Sequence, residues 1–357
     1  MDIGCPLGHN KGSKEVSMSG KRYAVANVAE LFDGIYRMEL PTPYPVGPVN
    51  IYLFQDEDAF DLIDTGSPTE ESFSVLETSL AHLGLGASRL RNIFLTHGHT
   101  DHVGSLTAIM EKFGGAAFSG GADIPIIEVN VQDTFRSRKD AILDRYRRFG
   151  FPAPDLDLLA SYFTSSFFPT PPVGSVTALP AGEGIRAGKV FLKALAVPGH
   201  TPGSLCYYLE SEKALFSGDT LLGNITPNPG TILYHEILVS DRIRSNPLGD
   251  FLVSLGKLAN VEAVVVFPGH GKPITDPGGL INDYLRHHQE RLASILKILE
   301  GRSLTCFQIS GFLFKGSNSI DDLLLQNIEV LAHLIYLNRE GNLVERISDD
   351  GVMRYSR

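Results

Sequence analysis

A length of 357 residues is more than one ordinary small domain needs and predicts a large unit with appended pieces. Hydrophobic residues at 43% supply a full core, while a formal net charge of −10 disfavours tight nonspecific binding to nucleic acid or to an anionic membrane. No apolar signal segment opens the chain and no run of about 18 apolar residues follows, so a cytoplasmic protein without a membrane span is expected.

Residues 1–22, polar and rich in Gly, Ser and Lys, read as a loose arm. Residues 46–54 alternate side-chain faces as a strand does, 59–64 form a second strand, and the polar turn between them makes a hairpin leading into Asp64-Thr65-Gly66. Ser67-Pro68-Thr69-Glu70 carries a capping box with proline at the first helical position, and Phe73, Leu76, Leu80 and Leu83 follow at helical spacing. The apolar run 92–95 then delivers THGHTDHVG, residues 96–104, before a helix from about 103 to 113.

Within that motif His97 and His99 are two apart, so at a strand end they project to one side and can share an ion. Asp101 and His102 fall where the chain turns into the helix and point elsewhere, so one loop can serve two ions. Imidazole and carboxylate donors suit zinc, and also manganese or iron. Residues 123–172 break the alternation of strand and helix and read as a helical insertion. Its basic middle, from Arg136 to Arg148, reads as a solvated face with pairs such as Asp144 with Arg148, or alternatively as part of a lid. Tyr162, Phe163, Phe167 and Phe168 are expected to be exposed, in a lid or a subunit contact.

Strands resume at 175–179, 189–197, 204–209 and 214–217. Three more ligand candidates follow apolar strands beside glycines: His200 in VPGHTPGS, Asp219 in LFSGDTLLG, and His270 in FPGHGKPI after a strand at 261–267. Helices are expected at 248–258 and 279–299. The last segment, 301–357, reads as two short helices, 305–313 and 320–337, and a hairpin turning at Asp350-Gly351. Its charge pattern, with Asp321, Asp322 and Glu329 on the second helix, favours a structural or homodimer-forming role over nucleic-acid recognition. Cys5, Cys206 and Cys306 are widely spaced and read as reduced thiols.

LIDTG, THGHTDHVG, PGHTPGS, SGDT and PGHG together resemble the motifs of the metallo-β-lactamase-fold hydrolases. The resemblance implies an α+β fold, a four-layer αββα sandwich over residues 23–300, with the insertion at 123–172 and a small winged-helix-like subdomain after it. It implies that His97, His99 and His200 hold one metal, that Asp101, His102 and His270 hold a second, and that Asp219 bridges them. Asp64 resembles the family's carboxylate that lies behind the ligands and orients them. An aspartate at 219 resembles the glyoxalase II, ribonuclease and lactonase branches rather than the antibiotic-hydrolysing ones. The C-terminal piece, with Tyr284-Leu285-Arg286-His287 on the long helix, resembles the β-lactamase-like-2 group, some of which cleave single-stranded RNA.

Two ions about 3.5–4 Å apart would acidify a bridging water toward a pKa of about 7 and give a hydroxide nucleophile. Asp101 is expected to bind metal and to orient that hydroxide. The leading expectation is hydrolysis of an ester, thioester or lactone of a small molecule, with zinc as the metal. Rival readings are a single-stranded RNA or phosphodiester hydrolase, which the acidic balance disfavours; a mononuclear-iron, persulfide dioxygenase-like enzyme; and a winged-helix binding protein with a structural metal. Tyr234 and His235 are candidates for protonating a leaving group.

Overall fold

The computed structural model describes residues 16–18, 21–23, 25–129, 131–165, 176–230, 233, 236–237, 240, 243–316 and 319–357. A short antiparallel pair, β1 (Val16–Met18) and β2 (Lys21–Tyr23), precedes a seven-stranded sheet. That sheet contains, in chain and spatial order, β3 (Asn27–Phe32), β4 (Ile35–Leu40), β5 (Val49–Asp56), β6 (Ala59–Ile63), β7 (Arg89–Phe94), β8 (Ala116–Ser119) and β9 (Val176–Ala178). β3 to β6 form an antiparallel meander, whereas β6 to β9 run parallel. The five-stranded second sheet follows the order β10 (Gly184–Ala187), β11 (Val190–Ala196), β12 (Leu205–Leu209), β13 (Ala214–Gly218) and β14 (Val265–Pro268), with only the β13–β14 pair parallel.

The period-two alternation of strand side chains builds the layers. On β5, Tyr52 and Phe54 meet Phe94, Tyr207, Phe216 and Phe267 between the sheets, while Ile51 and Leu53 turn to the outer face. That outer face is covered by α1 (Glu70–His82), α2 (Thr100–Val103) and α3 (Leu106–Phe113), through Leu76, Leu80, Val103, Leu106 and Ile109. The second sheet alternates likewise, sending Tyr207 and Phe216 inward and Cys206 and Leu215 outward. The outward residues meet Phe251 and Leu255 on a helix over Pro247–Leu258, and Ile281 and Tyr284 on another over Pro277–Ile298. The result is the expected αββα sandwich. Each fully buried large apolar side chain stabilises it by roughly 1.5–3 kcal/mol.

The insertion contributes α4 (Ile124–Ile127), α5 (Val131–Arg148) and α6 (Ala153–Ser165); the Pro247–Leu258 and Pro277–Ile298 helices are α7 and α8. After them come α9 (Cys306–Leu313), α10 (Ile320–Arg339) and the hairpin of β15 (Val344–Ile347) and β16 (Met353–Ser356). Insertion and final segment share one core: Phe135, Tyr146, Leu159 and Phe163 pack with Ile309, Leu324, Ile328, Leu331 and Tyr355. Phe163, expected to be exposed, is therefore buried, because its partners lie far along the chain; Phe167 and Phe168 lie outside the described residues. The charged face of α5 is solvated as read, with Asp144 pairing Arg148 at 2.7 Å and Arg147 at 2.5 Å.

Several local expectations shift. The cap of α1 is Thr69, whose side chain accepts from Ser72 N, rather than Ser67. The 103–113 helix is two pieces, α2 and α3. Strands β1 and β2, in a stretch read as a loose arm, and β3, β4, β8 and β10 went unread: β1, β2, β8 and β10 are only three or four residues long, β3 has no fully buried residue, and β4 buries three of its six. Cys206 and Cys306 are buried and free of disulfides, and Cys5 lies outside the described residues. Among the described residues no helix is long and apolar enough to cross a membrane.

Candidate metal centre

The parallel pairs β6–β7 and β13–β14 bring four strand ends to one edge of the sandwich. Cross-sheet bonds fix that edge: Leu205 N donates to Thr96 O at 2.7 Å, and the Tyr52 hydroxyl to Pro268 O at 2.6 Å. Just past β6, Asp64 takes a left-handed φ of 62°, a region that aspartate tolerates better than most residues. Its carboxylate accepts from Thr96 N, Thr96 Oγ1 and His102 Nδ1, each at 2.8 Å.

Two clusters of donors converge here, His97, His99, His200 and Asp219 in one and Asp101, His102 and His270 in the other, the donor atoms of each lying within 4.8 Å of one another. His99 Nδ1 stands 2.9 Å from His97 Nε2 and 3.1 Å from His200 Nε2. His270 Nε2 is 3.2 Å from Asp101 Oδ2. Asp219 lies between the clusters, 3.3 Å from His102 Nε2, 3.7 Å from His270 Nε2 and 3.8 Å from His200 Nε2.

Hydrogen bonds behind the rings set which nitrogen faces inward. His102 Nδ1 donates to Asp64, His270 Nδ1 to Pro48 O at 2.8 Å, and His200 Nδ1 to Asn228 O at 3.2 Å. Thr96 Oγ1, already donating to Asp64, accepts from His97 Nδ1 at 3.0 Å. Every one of these Nε2 lone pairs therefore points to the common centre. His102 Nε2, His270 Nε2 and Asp219 Oδ1 are buried without a hydrogen-bond partner, which is the pattern of donors arranged for a cation.

The charges agree. Burial, with neighbouring imidazoles, holds His97 well below its ordinary value and His99 at about 3. Burial would lower His102 and His270 too, yet Asp219 leads the surrounding carboxylates in outweighing it and raises both. Burial would raise Asp101 and Asp219, and His102 in particular holds both below the usual carboxylate range. Two buried carboxylates thus draw positive charge onto His102 and His270, and divalent ions would take the place of those protons.

Backbone proximity explains the glycines in two motifs. A Cβ at Gly269 would sit 2.3 Å from Asp219 Oδ1 and 2.7 Å from His102 Cε1, inside the donor cradle. Gly199 has φ +143° and a Cβ there would meet Phe251 Cα at 2.5 Å, so only glycine lets the chain present His200 at this point.

The sequence reading missed Thr96, Tyr44, Asn228 and Asp123. Tyr44 donates to Thr100 Oγ1 at 3.1 Å beside Asp101. Buried Asp123 accepts from Gly98 N, Gly203 N and Thr201 Oγ1, tying the loops of His97 and His200 together, and burial pushes its carboxyl up to about 6. Gly98 and Gly203 stand beside motif histidines, but nothing in the sequence pairs them with a lone aspartate. His287 is partly exposed and His288 is buried on α8, as adjacent helical positions require. Tyr234 and His235 lie outside the described residues.

A family model for the metallo-beta-lactamase superfamily matches residues 44–270, from Tyr44 through the last motif histidine. The chain belongs to that superfamily. It is a hydrolase of that group. It is 29% identical over 316 residues to the Bacillus subtilis protein "Probable metallo-hydrolase YqjP", covering 86% of this chain and 93% of that one. It is 26% identical over 297 residues to the "Beta-lactamase-like protein 2 homolog" of Caenorhabditis elegans, covering 82% and 80%. A metallo-beta-lactamase family protein of Thermus thermophilus superposes with a TM-score of 0.74 at 31% identity, over 92% of this chain and all of that one. A beta-lactamase domain protein of Burkholderia ambifaria, at 22% identity, shares the fold with a TM-score of 0.79 over 95% of this chain and 96% of that one.

Proposed function

We propose that the chain is a dinuclear metal-dependent hydrolase acting on an ester, thioester or lactone of a small molecule. The observation that carries the reading is the convergence of two donor clusters with Asp219 between them. His97, His99 and His200 would hold one ion, Asp101, His102 and His270 the other, and Asp219 both; Asp64 orients His102. Zinc suits this imidazole and carboxylate set best, with manganese or iron as alternatives. Bound there, the ions would supply an acidified water and polarise the substrate carbonyl.

The chain's own residues do the positioning. The bonds to Asp64, Pro48, Asn228 and Thr96 keep four imidazoles in the tautomer that offers Nε2. Asp101, close enough to His270 for an ion pair, can also accept a proton bond from the attacking water and so aim it. The site wall favours a small substrate over a polyanion. Burial, with the carboxylates of Asp101 and Asp321, raises the hydroxyl of Tyr44 above its ordinary value, and Tyr162 of the insertion donates to Asp321. Acidic groups at that wall would repel a phosphate backbone.

The test is a substrate screen with thioesters, lactones, phosphodiesters and single-stranded RNA, with and without chelator. Chelator-sensitive hydrolysis of the first two, lost in Asp219→Ala, is expected; undiminished turnover in Asp219→Ala would sink the proposal. RNA cleavage alone would move the substrate assignment to phosphodiesters, and a single iron without hydrolysis would move the chemistry to sulfur oxidation.

A further inference from the structure

The imidazole of His200 is held differently from those around it. The acceptors behind His97, His102 and His270 are Thr96, Asp64 and Pro48, all within or beside the seven-stranded sheet. The acceptor behind His200 is the carbonyl of Asn228, in the loop at 221–230 that follows β13.

That loop leans on the C-terminal helix. Asn228 Nδ2 donates to Leu325 O in α10 at 2.9 Å, and Asn228 Oδ1 accepts from Gly230 N at 2.7 Å. Gly230 lies against the same helix so closely that a Cβ would sit 2.3 Å from Ile328 O. Pro227 and Pro229 flank Asn228; each fixes its own φ, and Pro229 keeps Asn228 extended. The loop is therefore stiff, and its attachment to α10 decides where the Asn228 carbonyl stands. Ile328 and Leu324, on either side of the contact, are buried in the core that the final segment shares with the insertion.

We infer that α10 sets the orientation of His200 through Asn228, which makes Asn228 a positioning residue and the C-terminal segment a structural part of the metal centre. The inference rests on the metal reading only for its effect on ion binding; the orientation of the ring belongs to the protein alone. A change in Asn228 keeps the backbone carbonyl as an acceptor but frees it from its anchor on α10, so the His200 Nδ1–H bond loosens and Nε2 no longer faces the centre in one fixed state. Loss of an orienting partner behind a metal-binding histidine typically costs about 10–100-fold in affinity.

Two measurements test this on the full-length chain. In metal-free protein labelled with nitrogen-15 at histidine, proton–nitrogen correlation spectra should show His200 as the Nδ1–H tautomer in the wild type and as a tautomer mixture in Asn228→Ala. Asn228→Asp, which keeps the acceptor for Gly230 N but loses the donor to Leu325 O, should behave as Asn228→Ala does. Chelator competition with zinc should then show one of two ions held at least about tenfold more weakly in both variants. Thermal melting of the metal-free variants reports whether the fold is retained. A folded Asn228→Ala protein with His200 still in the single Nδ1–H tautomer would overturn the inference. A wild type that binds no zinc while its tautomer responds as expected would instead overturn the metal reading alone.

Discussion

Exchanging Asp64 for asparagine changes almost no volume, yet it should disable the second donor cluster. The carboxylate is buried and accepts three bonds of 2.8 Å, from Thr96 N, Thr96 Oγ1 and His102 Nδ1. An amide has one oxygen. If that oxygen keeps Thr96 N, the amide NH2 faces His102 Nδ1, and the two donors are compatible only if the ring moves its proton to Nε2. Nε2 is the atom 3.3 Å from Asp219 Oδ1, and once protonated it cannot bind a metal. If the amide turns round, Thr96 N is left buried and unpaired at a cost of about 1–3 kcal/mol. An ion at His102 Nε2 requires the second arrangement, so its cost is drawn from binding, and the Asp64→Asn protein should hold the ion of the Asp101, His102 and His270 cluster about 10–100-fold more weakly, or about 1.4–2.8 kcal/mol. Competition titration against a chelator measures this directly. Wild-type affinity for both ions in Asp64→Asn would refute the tautomer argument.

Gly269→Ala puts a methyl group 2.3 Å from Asp219 Oδ1, so it should reduce metal stoichiometry and turnover while leaving the far-ultraviolet circular dichroism unchanged; full occupancy would contradict the crowding. Asp123→Ala strands the Gly98 N, Gly203 N and Thr201 Oγ1 donors, and at about 1–3 kcal/mol for each unsatisfied group a large drop in the urea midpoint is expected, whereas an unchanged midpoint would show that solvent replaces the carboxylate. The buried pair His288 and His333, 3.1 Å apart, gives a pH dependence. Burial first, then neighbouring positive charge, pulls His288 down to about 2, and burial takes His333 to about 4, from an ordinary 6.5. Because the folded values lie below the unfolded one, the stabilisation is complete above pH 6.5 and is lost as pH falls toward 4. His333 alone accounts for roughly 3 kcal/mol at about 1.4 kcal/mol per unit. Denaturant midpoints that stay flat between pH 7 and 5, or that fall as steeply in His333→Gln, would argue against it.

The donor residues were legible because each follows an apolar strand directly and stands in a short motif, so sequence distance and spatial distance coincide within each motif. The sandwich was legible for the same reason, through the alternating strand at 49–56 and the helical spacing of Leu76 and Leu80. What escaped depends on partners distant in sequence. Asp123 has no helical or motif signature, and its role exists only because residues 98 and 203 fold against it. Asn228 reads as a turn residue between prolines until α10, almost a hundred positions later, supplies its partner. Phe163 sits in a segment rich in proline and aromatics and is buried by a core that the insertion shares with the C-terminal segment. Strand β3, at the edge of its sheet, leaves much of its surface open, so alternation there is faint.

The central claim is that these side chains form two adjoining metal sites sharing Asp219. It is tested most directly by elemental analysis of protein purified without added metal and after reconstitution with zinc, alongside His99→Ala, His270→Ala and Asp219→Ala. Two ions per chain in the wild type, about one in each histidine variant and fewer than two in Asp219→Ala are predicted. A single ion in the wild type that His270→Ala retains in full would contradict the dinuclear account.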